Sequence, residues 1–486
     1  MRNILLVLLI SFFSSYTYCQ CNRATDSLEL VKLYDDLNGQ NWVFEDTTIS
    51  KYTVPNFGNK WDIDSPVDMW HGITIDSIGC VTQIILEDCN IEGRFLGYEF
   101  PNVEYLILDR NKIEGDVALF NRYSNLIILD LFYNSISGEL SSLDSLGNLE
   151  KLFLNSNIIE GEIPNFSTSE RLTNLNLSYN ELTGRIPNFL SLNEMKFLIL
   201  SGNELEGNFP DFSHMQKMVS LSVANNKLTG EVPHFSHPVL RFLYFNDNNL
   251  TGPLYHFDYC PYLTTLVCSN NSLTDTISDF KNLSYLSFVS MFKNEFIGLP
   301  PDFVNCPNLK TIQLGNNNLT GSIPDYEHLL NSLVKLRLND NKIIGCYEDW
   351  ICNIEVSFEG NSQMPWKGDH TNYCNGEDQL SAPCDDITID TPNSFINDMC
   401  ECVEETTAVE EDSEIQYDIF PNPVVSQLHI DGDFTNENYF IYNTNGDLVS
   451  TGRVQSKLYV DNLSVGIYIL EIKSDLGVFI KRIIKI

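Results

Sequence analysis

"LTNLNLSYNELTGRIPNF" fills residues 172–189, and its spacing decides the fold. "MKFLILSGNELEGNFPDF" at 195–212 and "LKTIQLGNNNLTGSIPDY" at 309–326 repeat it, as L-x-x-L-x-L-x-x-N-x-L-x-G-x-I-P-x-F. The Asn slot recurs at Cys89, Asn111, Asn134, Asn157, Asn180, Asn203, Asn226, Asn248, Asn271, Asn294, Asn317 and Asn341, with gaps of 22 to 24 residues. That is a run of twelve coils. Self-similarity at such a period marks a solenoid, in which each unit buries its apolar face only against its neighbours. Apolar positions spaced 3 and 2 give one short strand per coil, stacked into a parallel sheet. A buried Asn side chain satisfies the turn that follows. Gly four residues after the Asn, as at Gly161, Gly184, Gly207 and Gly321, permits a corner that a Cβ would obstruct.

A second column stands nine residues after the Asn: Phe120, Phe166, Phe189, Phe212, Phe235, Phe257, Phe280, Phe303 and Tyr326. It predicts an aromatic spine along the convex side. The residue before it is Asn165, Asn188, Asp211, His234, Asp302 or Asp325, types that cap a short helical turn. Residues 81–345 resemble leucine-rich repeats of the extracellular, plant-like subclass, on the L-x-G-x-I-P segment after each Asn. The resemblance implies an α/β solenoid, a right-handed superhelix of about twelve coils with capped ends.

The N-terminal cap is expected over 20–80. "DSLELVKLYDDLNGQNW" (26–42) has helical periodicity, with Leu30, Val31, Tyr34 and Leu37 on one face. "MWHGITIDSIGCV" (69–81) is similar to the plant-like cap, with Trp70, Gly72 and Thr74 in place. The two cysteines of that cap would fall at Asp68 and Ile75 and are missing, which weakens a plant assignment. A C-terminal cap is expected over 346–376.

The first residues, "MRNILLVLLISFFSSYTYCQ", place one Arg before a short apolar run. They read as a secretory signal peptide, 1–19, cleaved before Gln20. No later stretch reaches the roughly 18 apolar residues of a transmembrane helix. The net charge of −37 leaves no basic stripe to neutralise phosphates, so nucleic acid is not a partner. No Lys or Arg occurs between Lys367 and Arg453, and 377–414 is expected to be a solvated acidic linker.

Motifs for chemistry are lacking. No G-x-S-x-G, phosphate-cradling Gly loop or helical zinc spacing occurs. His234 and His256 share one repeat position, and His214 and His237 another, but no ligand set completes a metal site. No metal, cofactor or catalytic residue is therefore assigned. Four cysteines take core slots: Cys89 in an Asn slot, Cys268 in a strand, and Cys260 and Cys306 two coils apart, about 10 Å by strand spacing and beyond disulfide reach. The rest gather at the ends of the solenoid, as Cys21, Cys80, Cys346, Cys352, Cys374, Cys384, Cys400 and Cys402. An exported chain makes these disulfide candidates. Cys21–Cys80 is the expected pair at the N-terminal cap; the other connectivities are open.

Outward residues of L-x-x-L-x-L-x-x-N line the concave face, where such scaffolds bind. In the first four coils these include Glu87, Asp88, Glu104, Asp109, Asp130 and Glu150 against Arg110 and Lys151. Later coils present Lys196, Arg241, Lys293, Lys310, Lys335 and Arg337 against Asp247 and Asp340. Two apolar clusters interleave with the charges. One is Tyr105, Ile107, Ile128, Phe132, Tyr133 and Phe153; the other is Phe197, Ile199, Phe242, Tyr244, Phe288 and Phe292. Exposed aromatics at this density suit a protein or glycan partner. The expectation is a non-catalytic recognition or adhesion protein binding an extracellular protein or polysaccharide. One rival is an extracellular hydrolase, glycan- or peptide-active, using concave-face carboxylates; another is a receptor-like ectodomain of plant type.

Residues 415–486 break the rhythm. "YDIFP", "LHI", "YFIYN", "DLVSTG", "KLYVDNL", "GIYILEI" and "VFIKRIIKI" give about seven short strands, a small β-sandwich. Pro421, Asn422 and Pro423, then Leu428, Ile430, Tyr442 and Gly446, then Gly466, Ile467 and Tyr468, and the basic close from Lys481 to Lys485, resemble the C-terminal sorting domain of the type IX secretion system of Bacteroidetes bacteria. That resemblance implies as partners the secretion translocon and a sortase-like processing enzyme. It places the protein outside the cell or on its outer surface.

Overall fold

The computed structural model describes residues 23–44, 54–56, 59–62, 64–278, 280–344 and 354–361. Of the C-terminal module it describes 418–420, 427–431, 438–443, 448–454, 457–460, 463, 466–474 and 477–485. The repeat unit forms one fourteen-stranded sheet whose strands follow chain order, from Ile73–Ile75 through Glu355–Ser357. Coils are numbered 1–12 here by their Asn slots, Cys89 to Asn341. A thirteenth follows: Glu355–Ser357 pairs in parallel with Lys335–Arg337, and Asn361 takes the Asn slot. The sheet thus runs past residue 345, where the repeats were expected to stop. The gap from Asn341 to Asn361 is 20 residues, outside the period of the other coils.

The Asn ladder has a simple cause. The Asn157 amide donates to Leu154 O at 3.0 Å in its own turn and to Leu131 O at 2.9 Å in the coil before. Its Oδ1 accepts from Ile136 N at 2.9 Å. One buried side chain thereby satisfies backbone groups of two coils, as buried polar groups require. The preceding residue adopts positive φ in nearly every coil, from Asp88 (53°) to Asp340 (51°).

The far side of each coil holds short strands and turns rather than α-helices. Three smaller sheets of five, four and three strands carry the x-L-x-G segments. Single 3-10 turns occur at Val117–Arg122, Leu140–Ser145 and Glu327–Leu329. Asp211, Asp302 and Asp325 do accept from the backbone two residues on, at 2.8 to 3.1 Å. After Asp302, Phe303 at φ 52° turns the chain before a helix can propagate. The aromatic spine stacks, with ring centroids from 5.1 Å (Phe280–Phe303) to 6.5 Å (Phe257–Phe280).

The helix Arg23–Asp36 buries Asp26, Leu30 and Leu33, with Leu37 buried just beyond it. Val31 is only half-buried; Leu33 takes the place expected for it, because 30, 33 and 37 follow the helical period. The Asp26 carboxylate accepts from Val81 N at 2.7 Å and so ties this helix to coil 1. In the cap segment that follows, Trp61 and Trp70 stack at 4.8 Å, and their indoles donate to His71 O and Asp62 O. The Asn56 amide spans to Asp68 O at 2.6 Å.

The C-terminal module is a two-sheet antiparallel sandwich. One sheet orders Asp418–Phe420, Gln427–Asp431 and Lys457–Tyr459; the other orders Leu448–Arg453, Asn438–Asn443, Gly466–Ser474 and Gly477–Lys485. Leu428, Ile441, Leu458, Leu470, Ile472 and Ile483 are among its core.

Candidate binding face

Parallel pairing sets the outward residues in columns. One column runs Tyr105, Ile128, Lys151, Asn174, Phe197, Ser220, Phe242, Thr265, Phe288, Thr311, Lys335, Glu355. The next runs from Ile107, Asp130 and Phe153 through Tyr244 to Arg337 and Ser357. Neighbours in a column are about 4.8 Å apart. Large side chains at that spacing cover one another.

That lateral contact corrects part of the expected site. Ile107, Ile128, Phe132, Phe153 and Phe242 are buried, with Phe132 at 8% the most accessible of them. Tyr105, Phe197, Ile199, Tyr244, Phe288 and Phe292 are half-buried and keep a surface open. Tyr133 is 53% exposed at the rim, at φ 55°.

The acidic end is equally altered. Arg110 lies 2.5 Å from Glu87, 3.1 Å from Asp109 and 3.9 Å from Asp88. Burial opposes the Arg110 charge, but Asp109, Glu87 and Asp88 outweigh it and raise its pKa. Asp109 and Asp130 are fully buried, and Asp130 accepts from Phe132 N at 3.2 Å. Arg110 neutralises Glu87 and Asp109, and Asp130 caps its own turn; Asp88 and Glu150 stay exposed and Glu104 half-buried.

Coils 5–12 differ. The residue before each strand, the two outward strand positions and the second residue after the strand hold no Asp or Glu, from Thr173 to Asn339; the next position, just before the Asn, holds Lys293 but also Asp247 and Asp340. The whole chain has 66 Asp and Glu against 29 Lys and Arg, so this is a depletion and not a background. Lys196, Arg241 and Lys293 are exposed and Lys310 half-buried. Lys335 and Arg337 both meet Glu355 of coil 13, at 2.6 and 3.5 Å. Between the cations lie hydroxyls and amides, some bonded across coils, as Ser269 to Ser290 at 2.6 Å and Ser290 to Gln313 at 2.9 Å.

Two tyrosines were missed because they precede the L-x-x-L window. Tyr262 and Tyr285 occupy equivalent places in coils 9 and 10, 45% and 53% exposed, with rings 5.4 Å apart. The histidines also resort themselves. His237 does not match His214: the coil after Asn226 is one residue shorter, so His237 takes the buried slot of Met215 and Cys260. Its Nδ1 meets Met215 O at 3.3 Å, as Ser169 Oγ meets Leu146 O at 2.8 Å three coils earlier in that column. His234 stacks on Tyr255 at 3.9 Å, while His256 is exposed. Among the described residues no group of three or more His, Cys, Asp or Glu side chains is placed to hold a metal ion.

Cys89, Cys260, Cys268 and Cys306 are free and buried. Cys80 is disulfide-bonded; Cys21, its expected partner, lies outside the described residues. So do Cys346, Cys352, Cys374, Cys384, Cys400 and Cys402, and Pro421, Asn422 and Pro423. Gly466 pairs with Lys485 and Leu470 with Lys481 on adjacent strands, and Tyr468 is buried. No helix among the described residues is long and apolar enough to cross a membrane.

Residues 418–486 match the family described as a secretion system C-terminal sorting domain. Residues 171–192 and 308–327 match the leucine-rich repeat. No curated protein matches the chain in sequence. Among solved structures, the Arabidopsis receptor kinase HAESA, in complex with the peptide hormone IDA and the co-receptor SERK1, is similar at 26% identity and TM-score 0.53; the match covers 69% of this chain and 62% of HAESA. A TDR receptor matches at 25% identity and TM-score 0.50, covering 56% and 55%. The PEPR1–AtPEP1 complex matches at 24% and 0.56, covering 70% and 51%. The chain thus spans between about half and five-eighths of these receptor chains.

Proposed function

We propose that this leucine-rich repeat protein, delivered by its type IX sorting domain to the outer cell surface or beyond, is a non-catalytic recognition protein. Its partner is an extracellular protein or polysaccharide, held on the open face of coils 5–12. The depletion of carboxylates from that face, in a chain of net charge −37, is the observation that carries the reading. An acidic surface elsewhere repels anionic partners, and one uncharged-to-basic strip orients them. The half-buried rings of Phe197, Tyr244 and Phe288 supply contact area within the strip. HAESA, of similar fold, is bound to a peptide hormone, which supports a recognition role for such a scaffold.

The test is capture of the mature chain on arrays of extracellular glycans and surface proteins. Lys196→Glu with Lys310→Glu should abolish capture. Thr229→Glu, on an exposed position of a smaller sheet, should leave it intact. Capture indifferent to the first pair of changes refutes the reading.

A further inference from the structure

Tyr262 and Tyr285 lie beside the basic strip and not within it. Each stands two residues before the residue that immediately precedes its strand, Thr264 and Ser287. The same position before the strand holds Lys196 in coil 6, Arg241 in coil 8 and Lys310 in coil 11. The tyrosines of coils 9 and 10 therefore sit between Arg241 and Lys310, one coil from each. At about 4.8 Å per coil the three cations span about 24 Å along the rim. None of the three has an ion-pair partner among the described residues.

From this arrangement we infer that the rim binds an anionic polysaccharide, in an extended conformation, with sugar rings against the tyrosine pair and acidic groups at Arg241 and Lys310. The inference deepens the recognition role proposed above and rests on it. Three properties select a charged glycan over an acidic protein surface. Half-exposed phenol rings present an apolar face with a polar edge, the chemistry that stacks on a pyranose. Their 5.4 Å separation is about the length of one sugar. The floor beside them carries the hydroxyls of Thr264 and Ser287, whose protons go to Arg241 O and Thr264 O and whose oxygens keep lone pairs to accept from sugar hydroxyls. Isolated cations several coils apart suit charges repeated along a chain better than one compact acidic patch.

The mature full-length chain should be tested against polygalacturonate, dextran sulfate, uncharged dextran and poly-glutamate. Tyr262→Asn with Tyr285→Asn borrows Asn308 of the same column, and Arg241→Thr with Lys310→Thr borrows Thr173, so both variants suit the coil. Expected are salt-sensitive binding to polygalacturonate or dextran sulfate, weak binding to dextran and poly-glutamate, and losses of about tenfold or more in each variant with unchanged melting temperature. Preference between the two charged glycans separates uronate from sulfate recognition. Absence of binding to both, equal binding of poly-glutamate, or indifference to the tyrosine changes overturns the inference. If a captured protein is at the same time lost by Lys196→Glu with Lys310→Glu, the recognition reading survives and only the glycan assignment falls.

Discussion

Asn203→Ala removes an amide that makes two coil-to-coil backbone connections and one within its own turn. Its Nδ2 donates to Leu177 O at 3.0 Å and Leu200 O at 3.1 Å, and its Oδ1 accepts from Leu182 N at 3.1 Å. The side chain is 7% exposed, so water does not readily replace it. Each buried backbone group left without a partner costs about 1–3 kcal/mol. Leu177 O and Leu200 O keep the amides of Asn180 and Asn226, so only Leu182 N is orphaned; with about 1 kcal/mol for each of the two other hydrogen bonds lost, the total is about 3–5 kcal/mol. Coils are stabilised by their neighbours, so a mid-solenoid defect weakens both sides. Urea unfolding of the mature chain, followed by far-UV circular dichroism, measures the loss. A change below about 1 kcal/mol would mean that strand packing alone holds the coils, and would refute the role given to the Asn ladder.

Other consequences are narrower. Gly184 has φ 75°, and a Cβ there would lie 2.8 Å from Glu162 Cγ; Gly184→Ala should cost about 1–2 kcal/mol. Gly147→Ala, with no positive φ and its nearest contact at 3.4 Å, should stay within about 0.5 kcal/mol in the same urea titrations. Burial lowers His71 from 6.5 to about 4, so the folded state prefers its neutral form. Its contribution is full above about pH 6.5 and is lost as pH falls toward 4, by about 3 kcal/mol at most. His71→Gln should flatten the stability–pH curve over that window, whereas an unchanged slope contradicts the burial. Desolvation pushes the thiols of Cys260 and Cys306 up to about 11 and about 12. Iodoacetamide followed by mass spectrometry should label these two only after unfolding.

The repeat was legible because its constraints are local and periodic. Leu at 3 and 2, Asn for the turn and Gly at the corner each answer a backbone requirement that recurs every coil. The thirteenth coil escaped because Asn361 falls at a shorter gap, and His237 was misplaced by one deleted residue. The sandwich strands were read nearly one for one, since alternation is marked on both of its sheets. Accessibility was the part the sequence hid. Whether Phe242 or Phe197 reaches solvent depends on neighbours some 23 residues away, and the pairing of Glu87 with Arg110 depends on how long side chains fold over the sheet. Tyr262 and Tyr285 fell outside the motif window, although their equivalence across coils was present in the spacing.

The central claim is that partners meet the face of coils 5–12. A photo-crosslinking residue placed at Phe288, which is half-buried on that face, and in a second chain at Thr229, exposed on a smaller sheet, tests it most directly. With the captured partner bound, crosslinks should form from position 288 and not from 229. Crosslinks from 229 alone would place recognition on the opposite surface and contradict the account.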